Sequence, residues 1–372
     1  MIRHCIIRTA CALATLALLS ACATNEAIRT PAHHPNDVRA QVVRLLPAKT
    51  PDRQDWANDV VSAFAALDIE ASTQNLCAAL AVAEQESTFT ADPLVPGLGK
   101  IARAEIDRRA QGLHVPLLVV KGALLLDSPN GKSYGERIAA VRTERELSRL
   151  YEDFIGMVPL GQRLFGGSNP VRTGGPMQVS VAFAEQHARA HDYPYPVDGT
   201  IRHEVFSRRG GMYFGIAHLL GYPASYEQMR YRFADFNAGW YASRNAAFQQ
   251  AVSLVSGIAL VLDGDLIDHD DDRHAGATER AVRSLAARID LGNAQIRRAL
   301  ERGDRLDFEE TSLYGRVFAL AEQSQHRPLP RAVLPRIALK SPKITRKLTT
   351  EWFATRVEQR YQACLARAAP AK

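Results

Sequence analysis

Long hydrophobic runs are missing from this sequence of 372 residues. The longest mainly apolar runs reach about 12 residues, whereas a membrane-spanning helix needs roughly 20. This argues against an integral membrane protein but leaves attachment to a membrane open. Glycine (24) and proline (19) are not in excess, which argues against a collagenous or low-complexity chain. Hydrophobic residues make up 46% and charged residues 23% of the sequence, as in ordinary globular proteins.

A strong overall charge of one sign is also missing. The formal net charge is +6 and the pI is near 9.1, but a nucleic-acid site would need the basic excess gathered on one face. We therefore expect no nucleic-acid partner. Residues 263–272 (DGDLIDHDDD) hold six aspartates without the ligand spacing and turn glycine of a calcium loop. They predict a solvated acidic loop, and we expect neither a metal nor a cofactor.

The first 22 residues, MIRHCIIRTACALATLALLSAC, have the pattern of a bacterial lipoprotein signal peptide. Arg3 and Arg8 precede a short apolar segment that ends at a lipobox, Leu19-Ser20-Ala21-Cys22. We predict a signal peptide over residues 1–21 and lipidation of Cys22 with fatty acids, which anchor the chain. An ordinary cleaved signal with a chance cysteine is the alternative. Residue 23 is alanine and not the aspartate linked with inner-membrane retention, which favours the outer membrane, with the protein facing the periplasm.

Cysteine is scarce, with five residues in all. The signal peptide removes Cys5 and Cys11, and Cys22 is the predicted lipid attachment site. Only Cys77 and Cys364 then remain in the mature chain. The periplasm is oxidising, so a disulfide between them is one hypothesis, and two buried thiols are the other.

Apolar residues at helical spacing dominate the chain from residue 50 onward, and alternating strand patterns are scarce. Residues 22–49 predict a polar tether. Thr50-Pro51 predicts the start of the first helix. The apolar segment 115–126 has no assignable type, and residues 326–347 predict an exposed extended segment. The other predicted helices are 73–87, 100–111, 133–154, 179–191, 207–221, 225–236, 243–262, 276–301, 308–325 and 348–366.

Glu86 is the first candidate for chemistry. It stands near the end of a predicted helix, with Ala79, Val82 and Ala83 seven, four and three positions before it and so on its face. A carboxylate against such a face in a cleft is desolvated, which raises its pKa and suits a general acid. Taken alone the signal is weak, because this residue and Glu84 could both be surface residues at a helix end.

Three further motifs follow in order and strengthen the interpretation. They are Gly175-Pro176-Met177-Gln178, Gly211-Met212-Tyr213-Phe214-Gly215 and Phe236-Asn237-Ala238-Gly239. Together with Glu86-Ser87, these segments resemble the Glu-Ser, Gly-Leu-Met-Gln, Tyr-x-Gly and Tyr-Asn-Ala-Gly motifs of the soluble lytic transglycosylase family, which has a lysozyme-like fold. The resemblance covers about residues 70–250.

The resemblance implies a role for each matching position. Glu86 would protonate the glycosidic oxygen between MurNAc and GlcNAc and then take the proton of the MurNAc C6 hydroxyl, which gives a 1,6-anhydro sugar. No second catalytic carboxylate is required, unlike in two-carboxylate glycosidases. Tyr241 is a further groove aromatic by position, although ordinary packing is the favoured role for it and for Tyr213. The implied substrate-binding residues are Ser87, Met177, Gln178, Tyr213, Asn237, Ala238 and Gly239.

This sequence departs from the family at three points. Phe236 replaces the usual tyrosine, and Pro176 replaces a small or aliphatic residue. A predicted helical insertion, residues 97–172, lengthens the interval before Met177 and could narrow or close the groove. Two hypotheses therefore stay open: a peptidoglycan lytic transglycosylase acting on glycan strands, or a non-catalytic envelope lipoprotein whose degenerate groove binds glycan or peptide or scaffolds a partner.

The whole chain, including residues 341–353 and Cys364, also resembles the YaiW-type outer-membrane lipoproteins. We predict a mainly α protein with a lysozyme-like helical domain, a helical insertion and a C-terminal helical extension. The predicted boundaries are 50–265 for the lysozyme-like domain and 266–372 for the extension.

Overall fold

The computed structural model describes residues 35–157, 159–268, 274–339 and 348–369. Within these ranges the chain is mainly helical, with eighteen α-helices and two short antiparallel hairpins. The mainly α class is therefore confirmed. The predicted signal peptide and Cys22 lie outside the described residues.

The elements fall into four consecutive groups. The first group is α1 (Pro35–Leu45), α2 (Arg53–Ala66) and α3 (Thr73–Ser87). The second is α4 (Leu98–Gly112), α5 (Leu117–Leu124), α6 (Tyr134–Ala140), α7 (Glu144–Gly156) and α8 (Gly161–Phe165). The third is β1 (Thr173–Gly174), β2 (Val179–Ser180), α9 (Val181–Ala190), α10 (Ile201–Val205), α11 (Arg208–Leu220), α12 (Met229–Ala238) and α13 (Ala242–Ser256). The fourth is α14 (Ala277–Arg283), α15 (Ala286–Ile289), α16 (Asn293–Leu300), α17 (Ser312–Gln325), β3 (Ala338–Leu339), β4 (Leu348–Thr349) and α18 (Thr350–Ala368).

The largest hydrophobic cluster, which we call the first core, surrounds α11. This helix contacts α2, α3 and α12, and the last helix, α18, packs against both α3 and α12. The glycines of α11 allow close approach: a Cβ at Gly211 would overlap Pro176, and one at Gly215 would overlap Met177. The β1–β2 turn can therefore pack directly on α11.

Residues 38–46 differ from the polar tether predicted for 22–49. Val38, Val42 and Leu45 are buried in the first core. Their spacing of four and three positions puts them on one face of α1. This spacing predicts an amphipathic helix, whereas the polar residues around it favour a tether. Residues 22–34 of the predicted tether lie outside the described residues.

A second hydrophobic cluster, the second core, runs from Ala247 in α13 to Ala321 in α17. The boundary predicted at residue 265 does not coincide with the division between these two cores. Helix α13 belongs to the second core, whereas α18 returns to the first core through Phe353, Val357 and Tyr361. The extended segment before β3 contacts both cores, since Val333 packs against the second core and Leu334 against the first.

The predicted insertion has a small core of its own, with Tyr134, Ile138 and Leu150 at its centre. The single helix predicted for 133–154 is two helices, α6 and α7. Ser133 and Thr143 each form a capping box with the glutamate three positions later. Each Ser/Thr-x-x-Glu pattern is a helix-start signal, so the sequence encodes two starts.

Other helix boundaries also differ from the predictions. Asp52, not Thr50, is the N-cap of α2. The unassigned segment 115–126 contains α5, and the helix predicted for 276–301 is divided into α14, α15 and α16. The helix predicted for 243–262 ends at Ser256, because Gly257 adopts a left-handed φ of 70°.

Candidate functional site

Glu86 lies in the last turn of α3. This helix is buried over most of its length, and Ala79, Val82 and Ala83 have no exposed surface. Glu86 itself is half-buried. The apolar face predicted beside it is therefore present, and the carboxylate stands at its edge.

Ser87 ends the same helix and shapes the turn that follows. Its Oγ donates to the Ala83 carbonyl at 3.0 Å and accepts the Thr90 N–H at 3.3 Å. Thr88 adopts a φ of 51°, so the backbone leaves α3 in a left-handed conformation. The Ser87 hydroxyl is committed to the backbone, where it fixes the helix end that positions Glu86.

Glu84 has a different environment from Glu86. Its Oε2 lies 4.0 Å from Arg367 Nη2, on α18. The Nε of this arginine donates to the Leu45 carbonyl at 2.6 Å. Glu84 therefore belongs to the contact between α3 and the last helix.

Met177 does not line a groove, contrary to the role that the resemblance implied. It has no exposed surface and belongs to the first core. Its side chain occupies the space that the missing Cβ of Gly215 leaves. Met177 therefore stabilises the contact between the β1–β2 turn and α11.

Gln178 lies in the same turn with a φ of 51° and is half-buried. Its Nε2 donates to the Gly175 carbonyl at 3.3 Å, and its Oε1 accepts the Thr173 hydroxyl at 3.3 Å. Both ends of the amide are thus engaged within the turn. A sugar would have to replace one of these hydrogen bonds to use the amide.

Tyr213 and Tyr241 are both buried, as the packing interpretation expected. The Tyr213 hydroxyl donates to the Asp192 carbonyl and lies 3.3 Å from His187 Nε2. The Tyr241 hydroxyl donates to the Pro223 carbonyl at 2.9 Å. Neither ring offers a free face to a ligand.

The segment 236–239 ends α12. Phe236 is buried with its ring centroid 5.1 Å from that of His218. Asn237 is exposed, and its Oδ1 accepts the Thr350 hydroxyl at 3.2 Å. Gly239 has a φ of 107°, a conformation that only glycine adopts readily.

Asp235, one position earlier, was not among the predicted site residues. It is fully buried and accepts hydrogen bonds from the Tyr222 hydroxyl at 3.0 Å, the Ser243 N–H at 2.7 Å and the Tyr226 hydroxyl. Burial raises its pKa above the usual value, although these donors act in the opposite direction. Asp235 joins α12 to α13.

A cleft of about 560 Å³ opens beside Gly239. It lies between α9, the end of α11, the α12–α13 junction and the acidic segment 263–267. We call it the histidine cleft, because three imidazole rings line it. Its main lining residues are Phe183, Gln186, His187, His191, His218, Ala238, Gly239, Trp240, Asp263, Asp265, Glu301 and Asp304.

Aromatic and imidazole rings form a ladder along one wall of this cleft. The rings of His187 and His191 stack with centroids 4.3 Å apart, and Phe183 stacks on His187 at 5.7 Å. Phe183 also meets Trp240 edge-on at 5.6 Å. On α9, Phe183, His187 and His191 follow one another at intervals of four residues. This helical spacing is the sequence signal that could have identified the wall.

Two of these histidines are neutral at physiological pH. Burial, with a smaller contribution from His191, lowers the pKa of His187 to about 4. Burial also lowers the pKa of His218 to about 4. His218 Nε2 lies 3.2 Å from the Phe236 carbonyl and so donates to it. Its buried Nδ1 has no hydrogen-bond partner among the described residues.

The structure brings together only part of the predicted site. Ala238 and Gly239 line the histidine cleft, whereas Glu86, Met177 and Gln178 are not among its lining residues. Glu86 is thus not part of the cleft that Ala238 and Gly239 line.

Comparison with known proteins identifies the family. A family described as "Protein of unknown function (DUF1615)" matches residues 49–367. The chain belongs to the DUF1615 family. It is 57% identical over 329 residues to "Uncharacterized protein YaiW" of Escherichia coli (strain K12), covering 88% of this chain and 90% of that protein. No solved structure matches. The predicted YaiW-type family is confirmed, whereas the transglycosylase relationship and lysozyme-like fold stay predictions.

Cys77 and Cys364 are joined in a disulfide, with their Cα atoms 5.5 Å apart. Both residues are buried in the first core. The bond ties α3, which bears Glu86, to α18. In this DUF1615 protein the helix of the candidate acid is therefore covalently attached to the C-terminal helix.

The described ranges lack two kinds of feature. No group of three or more His, Cys, Asp or Glu side chains there could hold a metal ion. None of the helices there combines the length and the apolar character needed to cross a membrane.

Proposed function

We propose that this DUF1615 protein is a lipid-anchored envelope protein that binds peptidoglycan glycan in the histidine cleft without cutting it. The observation that carries the proposal is the position of the cleft. It incorporates Ala238 and Gly239 of the transglycosylase-like motif, but its lining residues do not include Glu86. In this proposal the helical core is related to the lysozyme-like transglycosylases, and its groove binds glycan but no longer cleaves it.

The lining of the cleft suits a sugar. Its volume of about 560 Å³ lies within the usual range for small-molecule sites. The stacked rings of the ladder line the cleft with weakly polar edges, and the exposed ring of His191 at its end can pack against the C–H face of a pyranose. Exposed carboxylates of Asp265 and Asp304 on the opposite side can accept hydroxyl or amide hydrogens.

The motif residues give less support to cleavage. Met177 and Tyr213 are buried in the first core, where they cannot contact glycan. Phe236 supplies no hydroxyl. A general acid must come within hydrogen-bond reach of the oxygen that it protonates, and Glu86 is not part of the histidine cleft.

The envelope location rests on the sequence. The signal peptide and the lipobox at Cys22 support export and lipidation. Alanine at position 23 supports the outer membrane. A chain held there, facing the periplasm, would meet peptidoglycan as its nearest large glycan.

Cosedimentation with purified peptidoglycan sacculi tests the binding. His191 is exposed at the mouth of the cleft, so His191→Ala removes one ring of the ladder without opening the core. We expect binding to weaken about tenfold, equivalent to about 1.4 kcal/mol. Arg189→Ala is the matched control, because Arg189 is an exposed residue of the same helix that does not line the cleft. Equal binding by wild type and His191→Ala would contradict the assignment to this cleft.

A second candidate function is the lytic transglycosylase itself, and the environment of Glu86 is the observation that favours it. The carboxylate stands at the end of an apolar helix whose turn Ser87 fixes. Under this alternative, Glu86→Gln abolishes release of anhydromuropeptides from sacculi, since loss of a general acid costs about 10²–10⁴-fold in rate. Glu84→Gln is the control and keeps the activity. No anhydromuropeptide from wild type eliminates this alternative and leaves the binding proposal intact.

A further inference from the structure

The predicted insertion exposes several large apolar side chains along one short stretch of chain. Leu118 is 81% exposed, Leu125 77% and Leu113 76%. Leu117, Val119 and Leu126 belong to the same stretch and are also exposed. We call these six residues the leucine face. So many exposed large apolar residues close together in sequence point to an interaction site.

The contacts that hold the insertion together do not involve the exposed leucines. Helix α5 is attached to the insertion core through Leu124 and Val120. Leu118 and Leu125 are seven positions apart and so lie on one face of the helix, away from that attachment. Lys121 lies between them on the same face and is exposed. Its long side chain can place its ammonium group beyond the leucines.

The charge of the insertion indicates what covers this face. Residues 97–172 contain 12 Lys and Arg against 8 Asp and Glu, a net charge of +4. Residues 22–372 contain 44 Lys and Arg against 40 Asp and Glu, also +4. The remainder of that mature chain is therefore neutral, and its whole basic excess lies in the insertion. An apolar face with basic residues is complementary to a bilayer that contains anionic lipid.

We propose that the leucine face docks on a lipid bilayer, with leucines in the acyl boundary and Lys121 at the headgroups. The proposal draws on the lipid anchor at Cys22, itself part of the proposed function. The chain from Cys22 to Pro35, the first described residue, spans at most about 45 Å when fully extended. A bilayer that holds Cys22 is thus present at a high effective concentration near the protein. The leucine face would therefore be bound to lipid much of the time even if its own affinity for lipid is low.

Vesicle cosedimentation of the non-lipidated mature chain, residues 22–372 with Cys22→Ser, tests the docking independently of the anchor. The vesicles contain phosphatidylethanolamine with phosphatidylglycerol, or phosphatidylcholine alone. We expect stronger binding to the anionic vesicles. In the double variant Leu118→Ser, Leu125→Ser the partition constant should fall about tenfold or more, because two large apolar side chains no longer enter the membrane. Lys121→Glu should weaken the preference for anionic lipid, because it lowers the net charge of the insertion from +4 to +2.

The matched control is Val261→Ser, since Val261 is 67% exposed but lies outside the insertion. It should bind vesicles as the parent chain does. An unchanged unfolding midpoint of the double variant excludes misfolding as the cause. The proposal is overturned if the parent chain binds no vesicles, if the double variant binds as well as the parent, or if the leucine face forms a homodimer that the same substitutions dissociate. Lipidation of Cys22 in cells is measured separately, so failure of the anchor and failure of docking are distinguishable.

Discussion

The first core and the insertion differ in where their contacts come from along the chain. The first core joins side chains from Val38 to Cys364, so it forms only when distant segments meet. The insertion core draws on residues 102–154 alone. The first core buries its large apolar side chains, whereas the insertion leaves a row of leucines in solvent.

This difference separates residues that serve folding from residues that are available for function. In the first core, transglycosylase-like positions such as Met177 and Tyr213 are packing residues. Residues that match a catalytic motif can therefore serve packing, whether or not the chemistry of that motif is used. The exposed leucines of the insertion have no such structural reason, which makes them the better indicator of a contact with another surface.

Removal of the Cys77–Cys364 disulfide should have the largest effect on stability and so tests this comparison first. The bond joins residues 287 positions apart, so it constrains the unfolded chain strongly. In the chain-entropy account, Cys77→Ala with Cys364→Ala lowers the free energy of unfolding by up to about 5 kcal/mol.

Urea unfolding with and without reductant measures this effect. The wild type should lose stability in reductant, and the double variant should not respond. The insertion core contains no cysteine, so its local protection from hydrogen exchange should change less than that of α3 and α18. Equal stability of reduced and oxidised wild type would contradict the prediction.

Substitution of Met177 should have the second largest effect on stability. Met177→Ala empties a fully buried position beside Gly215 and should lower the free energy of unfolding by about 2–5 kcal/mol. Gln178→Ala is the neighbouring comparison and should cost about 1 kcal/mol, because it removes hydrogen bonds of a half-buried turn. Thermal or urea unfolding measures both. A larger loss from Gln178→Ala would reverse the assignment of the two motif residues.

The sequence was sufficient for the helical class and for most helices, because each depends on local spacing and caps. It was insufficient for the site. Only the folded chain shows that Met177 points into the first core and that Gly239 opens onto a cleft with His187 and Trp240. Those contacts join segments far apart in sequence, and no local pattern encodes them.

A third test uses the pH dependence of stability and two histidines of the histidine cleft, His187 and His218. The pKa of His187 and that of His218 are about 4 in the folded protein, below the unfolded value near 6.5. Their contribution to stability is therefore present above pH 6.5. It is lost as the pH falls toward 4, because only the unfolded chain takes up the protons.

The loss between pH 7 and 5 should be on the order of 1 kcal/mol for each histidine after allowance for solvent screening. His187→Phe keeps an aromatic ring in the ladder but cannot titrate. Its stability should depend less on pH over this interval than that of wild type, as urea unfolding at several pH values would show. Parallel pH profiles for the two proteins would contradict the prediction.

Substitution in the leucine face should have the smallest effect on stability. It allows an exposed leucine to be compared directly with a buried one in the same helix. Leu118→Ala should change the free energy of unfolding by no more than about 0.5 kcal/mol, because the side chain already lies in solvent. Leu124→Ala, in the same short helix, should cost about 2 kcal/mol, because Leu124 belongs to the insertion core. The two variants remove the same atoms and differ only in burial. If Leu118→Ala proved as costly as Leu124→Ala in urea unfolding, the leucine face would be part of the folded core and would no longer be available to a membrane.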